Sequence, residues 1–313
     1  MTDKLLEALK EGIVNLFEPL GDFLEGLFSE IFGNAASSCL ELGNAAYNKI
    51  ISYAVNLLKE SPDTWNGGEG WNVMQTVNTS FIAVGASLVI IFWCIKLCSD
   101  NLDIRQTMRP ETMIKELTIL VVAEWFVVSA FDLFASFFGL VDYLAANILP
   151  SSNSANILIP NEVSTYINSV IDGTNVGTAF LTMCFSALYL LVLSCCGVMI
   201  LYFAYVRFFK VLIIAPYGSM VTSTVAGPHS ISHSSVAFFK YALSTILEAV
   251  TMILVIKLGS ALISSGSIDI FGNATVKDLG TFFEWCLQSI ILTMVMVGGI
   301  KESSIITQKA LGA

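Results

Sequence analysis

The chain has 313 residues, of which 55% are hydrophobic and only 13% are charged, and its mean hydropathy is +0.74. Because a typical soluble domain carries about 25% charged residues, this composition argues against a cytosolic enzyme, a disordered tail and a collagen-like fibre. The net charge of −10 argues against tight nucleic-acid binding by this chain alone, since an acidic protein gains nothing from neutralising phosphates. We therefore expect an all-α, polytopic helical membrane protein.

Residues 1–72 form the first predicted domain, an extracytoplasmic amphipathic segment with eleven acids and four lysines. Leucine, isoleucine and phenylalanine recur at spacings of three and four from Leu5 to Phe32, with acids between them, which is typical of an amphipathic helix. That helix has a candidate bend at Pro19, and a second helix over about 35–60 completes a predicted helical hairpin. Two interpretations stay open: the hairpin packs within the protein, or it offers a subunit or partner interface at the membrane surface.

Five later stretches are apolar enough to cross the hydrocarbon layer, which takes about 20 helical residues. They make up a predicted transmembrane domain over 73–305, followed by a cytoplasmic tail at 306–313. The predicted spans are about 75–98, 113–146, 176–206, 236–264 and 278–300.

Lysine and arginine concentrate on alternate links between these spans, and this bias sets the orientation of a membrane protein. The link 147–175 contains neither residue. The predicted cytoplasmic links and C-terminal end hold Arg105, Arg109, Arg207, Lys210, Lys301 and Lys309. We expect a multi-pass protein of the bacterial cell (inner) membrane, with an extracytoplasmic N-terminus and a cytoplasmic C-terminus.

Four acids lie inside the predicted spans, where a charged side chain costs about 3 kcal/mol or more and therefore faces a bundle interior, a partner or water. Glu124 and Asp142 are 18 residues apart, which is five helical turns, so they share one face of the second span. Either the acids are protonated or hydrogen-bonded within one subunit, or they line a translocation path or interface. The candidates are Glu124, Asp132, Asp142 and Glu248.

The segment between the third and fourth spans, RFFKVLIIAPYGSMVTSTVAGPHS, has an apolar stretch too short for a full crossing. Pro216 and Gly218 are expected to break a helix there. We predict a re-entrant or surface helical hairpin over 207–235 on the cytoplasmic side.

No cofactor or metal is expected. The seven cysteines form no CxxC pair, and no nearby Cys or Asp completes a metal site with His229 and His233. None of the motifs GxxxxGKS/T, GxGxxG, HExxH and GxSxG occurs, so the chain is not expected to be an enzyme.

RFFKVLIIAPYGSM, followed by AFFKYALSTILEAVTMILV, resembles the signature region of TrbL/VirB-type polytopic membrane components of conjugative type IV secretion systems, in the versions carried by Gram-positive conjugative elements. The strong match covers about 205–260. The family has an arginine at the end of a long span, a base three residues on and a proline-centred break. It then has an aromatic–lysine pair and a polar mid-span position. The matching residues are Arg207, Lys210, Pro216, Lys240 and Glu248.

The resemblance implies a non-enzymatic subunit that assembles in several copies and helps to move relaxase-bound single-stranded DNA, or a protein substrate, across the cell membrane. The implied partners are further copies of the chain, membrane lipid, secretion ATPases, a coupling protein and other channel subunits. Transient contact with the DNA–relaxase substrate is also implied.

Two other classes of function stay open. A proton- or cation-coupled secondary transporter would use Glu124 and Glu248 as a relay, although transporters often have internal repeats and none is visible here. An intramembrane aspartyl hydrolase needs two aspartates that meet in the membrane, and only Asp132 lies deep enough.

Lys257 and Glu284 lie at similar depths, about 10 Å from the outer ends of the fourth and fifth spans at 1.5 Å per residue. We interpret them as a structural ion pair. Lys257→Met should therefore lower the unfolding temperature of the detergent-purified protein, and a Lys257→Glu, Glu284→Lys exchange should restore it. An unchanged unfolding temperature for Lys257→Met would contradict the pair.

Overall fold

The computed structural model describes residues 2–100, 110–150, 156–172, 175–265 and 276–312, and describes residues 2–23 by their backbone. Over these ranges the chain is helical without any β-strand, which confirms the all-α prediction. Two short 3-10 turns, Trp65–Gly68 and Ser223–Ala226, join helices. The described α-helices are α1 (Thr2–Lys59), α2 (Glu69–Asp100), α3 (Pro110–Ile148), α4 (Asn161–Ile171), α5 (Val176–Thr222), α6 (His229–Ser265) and α7 (Leu279–Leu311).

Five helical stretches in the described ranges are long and apolar enough to cross a membrane, in agreement with the five predicted spans. The longest helix among them, α5, has 47 residues and so measures about 70 Å at 1.5 Å per residue. This is more than twice the roughly 30 Å thickness of a hydrocarbon core. The chain is a multi-pass membrane protein whose helices continue beyond the predicted limits. The five stretches are Trp65–Ser99, Met113–Ile148, Val176–Ala226, His229–Ile263 and Leu279–Leu311.

The predicted N-terminal hairpin is replaced by one continuous helix, α1, of 58 residues. The glycines that suggested a chain reversal serve close packing instead. A Cβ atom at Gly33 would lie 2.5 Å from Ile171 Cγ1, and one at Gly43 would lie 3.1 Å from the Cα atom of Leu190. Isolated glycines are tolerated inside a helix when packing requires them, so α1 continues through both positions.

The predicted helix break at Pro216 is wrong, because α5 continues through this residue to Thr222. Proline removes one backbone hydrogen bond from a helix interior, and tertiary packing offsets this loss. Gly218 lies against the Phe134 ring, and the buried Ser219 hydroxyl donates a hydrogen bond to Asn78 Oδ1 at 2.7 Å.

The chain reverses after Pro216, at the 3-10 turn Ser223–Ala226. Gly227 is extended there, and Pro228 precedes the first residue of α6. The segment 207–235 is therefore the end of α5, a turn and the beginning of α6 instead of a separate hairpin. The predicted tail at 306–313 is also revised, because α7 extends to Leu311.

The helices contribute to two compact units. The first contains Met1–Ser52, Ala155–Met199 and Leu258–Val297. Stacked aromatic rings form its interior, with centroid distances of 5.3 Å for Tyr166–Phe282, 6.2 Å for Phe282–Trp285 and 5.4 Å for Trp285–Tyr189.

Hydrogen bonds from α1 fix this interior. The Tyr189 hydroxyl donates to Asn44 Oδ1 at 2.9 Å. Asn48 pairs with both backbone groups of Ile157, donating to its carbonyl at 2.9 Å and accepting from its N–H at 2.8 Å. Buried polar groups are costly unless they are paired, so these bonds specify how α1 packs in the unit.

The second unit contains Tyr53–Ser154, Ile200–Lys257 and Gly298–Ala313. Trp71 packs on Phe131 with a ring centroid distance of 4.1 Å and on Phe138 at 5.4 Å, which joins the beginning of α2 to α3. Near the other end of α2, Lys96 Nζ lies 2.9 Å from Glu116 Oε2 of α3.

Gly218→Ala should destabilise the protein, because the added methyl group would lie 2.3 Å from Phe134 Cε2. Overpacking of this kind costs about 1–3 kcal/mol. Gly139→Ala is the matched control, because no atom lies within 4 Å of its new Cβ and alanine is the better helix former. Thermal unfolding in detergent measures both, and equal effects would contradict the packing described.

Candidate functional site

Arg207 is the largest fully buried side chain among the described residues, with 2% of its surface exposed. It lies on α5, and its Nη2 donates a hydrogen bond of 2.8 Å to the backbone carbonyl of Ile246 on α6. Its Nε has no hydrogen-bond partner in the part of the chain that the structure describes. A buried guanidinium requires acceptors and opposite charge, so its surroundings define a candidate site.

Glu248 supplies opposite charge from α6. It is 3% exposed, and its charge acts on Arg207. Lys210, three residues after Arg207 on α5, approaches the same carboxylate, with its Nζ 4.0 Å from Glu248 Oε1. The Lys210 side chain is 41% exposed and that of Glu248 is 5% exposed. The site thus has two fixed charges inside and one that reaches the surface.

Two serines of α7, Ser303 and Ser304, lie beside the Glu248 carboxylate and complete a third side of the site. The Ser303 hydroxyl donates to the carbonyl of Ile300 in its own helix. One turn further along α6 and α7, the hydroxyls of Thr251 and Thr307 are 2.9 Å apart. Polar contacts therefore run along the packed faces of α6 and α7.

Asp142 acts on Arg207 from α3. Its Oδ2 accepts a hydrogen bond of 2.5 Å from the Ser61 hydroxyl, which follows the end of α1. The two acids Glu248 and Asp142 together balance the charges of Arg207 and Lys210. We call Asp142, Arg207, Lys210 and Glu248 the charge cluster.

The other two candidate acids do not join the charge cluster. Glu124 is half-buried on α3 and makes no hydrogen bond or ion pair with another described residue, and Asp132 is exposed on the same helix. The structure thus brings together two of the four predicted acids.

The resembling segment is likewise divided. Arg207, Lys210 and Glu248 meet in the charge cluster, whereas Pro216 is buried two turns further along α5. Lys240 is exposed, and its Nζ donates to the carbonyl of Gly312 at 3.3 Å. A cation beside the last carbonyls of a helix is favourable, so Lys240 stabilises the C-terminal end of α7.

Lys257 is also placed by a backbone contact, since its Nζ donates to the carbonyl of Ile148 at 2.5 Å. Its ion pair with Glu284 stays a prediction. Arg105 and Arg109, which contributed to the predicted orientation, lie outside the described residues.

The charge cluster suits a structural or gating role better than bond-breaking chemistry. A cavity of about 10 Å³ lies beside it, between Phe134, Val211 and Ile246, and such a volume holds at most one water molecule. No group of three His, Cys, Asp or Glu side chains suitable for a metal occurs among the described residues.

Ser61, Ser303 and Ser304 were not identified from the sequence. Each serine belongs to a local pattern typical of a turn or of a polar helix face, in SPDTW and KESS respectively. Their role depends on contacts with residues more than 50 positions away, and no local pattern reports such contacts.

No family model, curated protein or solved structure matches the chain.

Glu248→Ala should lower the free energy of unfolding by about 3–5 kcal/mol, because it removes an acid that balances a buried guanidinium. Adding Arg207→Met should recover part of this loss, since no uncompensated charge then remains. Glu124→Ala is the control and should have a smaller effect. Unfolding of the purified protein in detergent measures all three, and an equal loss in Glu124→Ala would contradict the pairing.

Proposed function

We propose that this chain is a multi-pass membrane subunit of a conjugative type IV secretion system, acting in several copies as a channel or scaffold component. It would help relaxase-bound single-stranded DNA, or a protein substrate, to cross the cell membrane. The main support is the charge cluster: Arg207 and Glu248 come from the two separate blocks of the resembling segment, 41 residues apart, and act on each other inside one unit.

The contacts of Arg207 give the resemblance a physical basis. A buried arginine without its acid would leave an uncompensated charge, so the residues that resemble the family signature depend on one another in this fold. A base three residues later also has a role, because Lys210 reaches the same carboxylate from the next turn of α5.

The absence of catalytic motifs in the sequence supports a scaffold over an enzyme. Energy for transport would then come from the secretion ATPases implied as partners. We propose that the ends of α5, α6 and α7 near Arg207 and Lys301 face the cytoplasm, in line with the bias of lysine and arginine. ATPases and a coupling protein could meet the chain there.

A proton-coupled transporter is the second candidate, and one observation favours it. Glu248 is buried, and its Oε2 has no hydrogen-bond partner among the described residues. A carboxylate of this kind inside a membrane protein is typical of proton relays. The solitary position of Glu124 weakens this candidate, because the predicted relay needs both acids.

Arg207→Glu should reduce DNA transfer from a donor strain by about tenfold or more, since it places two acids together inside the protein. Pro216→Leu should also reduce transfer, and both variants should still insert into the membrane. Lys240→Glu is the matched control, because it reverses a charge of the same segment at an exposed position. Transfer frequency is measured beside the membrane level of each variant.

The exchange Arg207→Glu, Glu248→Arg guards against a simple folding defect, because it keeps both charges and should restore part of the transfer. Normal transfer in Arg207→Glu would contradict the proposed role of the segment. Normal transfer in Glu248→Gln, together with lost proton-coupled uptake in vesicles, would favour the transporter instead.

A further inference from the structure

One face of α1 packs inside the first unit through small residues. The Ser29 hydroxyl donates to the carbonyl of Val170 at 2.9 Å, and Gly33 approaches Ile171 so closely that a Cβ would collide. Ala36 and Leu40 continue this face and are 0% and 1% exposed. Small residues let helices approach closely, so this face is already used within the chain.

The opposite face of α1 is apolar and exposed. Leu24 and Gly33 are nine residues apart, as are Ile31 and Leu40, which is two and a half helical turns and so the opposite side of the helix. Large apolar side chains on that side remain 41–52% exposed, namely Leu24, Leu27, Phe28 and Ile31.

The sequence extends this apolar face toward the N-terminus with a regular heptad repeat. Alternating spacings of three and four connect successive apolar positions, and the backbone of α1 is helical throughout, so the register is kept. The repeat comprises Leu6, Leu9, Ile13, Leu16, Leu20, Phe23 and Leu27. We call these seven positions, together with Leu24, Phe28 and Ile31, the α1 seam.

The α1 seam is long enough to hold two helices together. It covers 26 positions, from Leu6 to Ile31, which is more than three heptads. Apolar heptads sustained over about three to four repeats are the pattern of a helix paired with another helix. A repeat of identical spacing on a second copy of the chain is complementary to it by construction.

The positions of the acids indicate which partner fits. In a paired helix the positions that flank the seam, called e and g, approach the partner. From Lys10 to Gly26 these positions hold no acid: they are Lys10, Gly12, Phe17, Pro19, Leu24 and Gly26. Glu11, Glu18 and Glu25 lie instead at the outermost position of the heptad, away from the seam. Two copies therefore meet without opposed carboxylates, whereas a basic partner would find no acids beside the seam to pair with.

We propose that the α1 seam is an interface between two copies of this chain, formed by pairing of their α1 helices. The inference is independent of the secretion proposal, because it depends on α1 in the first unit and not on the charge cluster. It also assigns a use to the part of α1 that precedes the packed face at Ser29.

Photocrosslinking of the full chain tests the pairing. Two differently tagged copies are reconstituted together in lipid vesicles, with the photoreactive residue p-benzoylphenylalanine placed at Leu16 or at Leu27. Both positions should give a covalent dimer carrying both tags. The matched controls place the same residue at Glu18 and Glu25, at the outer side of the helix, where the yield should be about fivefold lower or less.

A second set of variants separates pairing from folding. Leu16→Asp combined with Leu20→Asp should abolish the crosslink formed from Leu27, while Glu18→Gln combined with Glu25→Gln should leave it unchanged. Equal yields at seam and control positions, or crosslinks to lipid alone, would overturn the proposal. A transfer-defective Arg207→Glu chain should still crosslink, so failure of the secretion proposal is distinguishable from failure of this one.

Discussion

A buried guanidinium cannot be left without acceptors and opposite charge, and the packing of the second unit satisfies this requirement at Arg207. A backbone carbonyl of α6 accepts its hydrogen bond, and acids from α6 and α3 supply the charge. Helices far apart in the sequence are thereby brought to one point. The same requirement explains why Lys210 and the serines of α7 lie where they do, because Glu248 needs polar neighbours as much as Arg207 does.

Close approach of helices is the second constraint on the fold, and it decides where helices continue. Gly33 and Gly43 admit neighbouring helices to α1, and Gly218 admits the ring of Phe134 to α5. Each of these glycines lies in a segment where a break or a reversal was expected. A glycine has the same local signature whether it turns the chain or accepts a neighbour, so the distinction depends on contacts distant in sequence.

Hydropathy predicted the helical membrane class and the five long apolar helices, because an apolar run of sufficient length is a local property. The extent of α5 was not predictable in this way, since the cost of Pro216 had to be weighed against the packing around Ser219. For the site, the separate prediction of Arg207 and Glu248 was possible, but their juxtaposition was not. Periodicity put Glu124 and Asp142 on one face, yet only Asp142 acts on Arg207, because Ser61 and α5 lie near that end of α3 alone.

The unequal exposure of Lys210 and Glu248 makes the charge cluster one-sided toward dissolved ions. Mobile salt screens charges that reach water and leaves buried pairs nearly unaffected. The attraction of Lys210, whose side chain is 41% exposed, therefore weakens as ionic strength rises, while the attraction between Arg207 and Glu248 persists. The electrostatic balance at the core of the second unit is in this way coupled to the salt concentration of whichever compartment Lys210 faces.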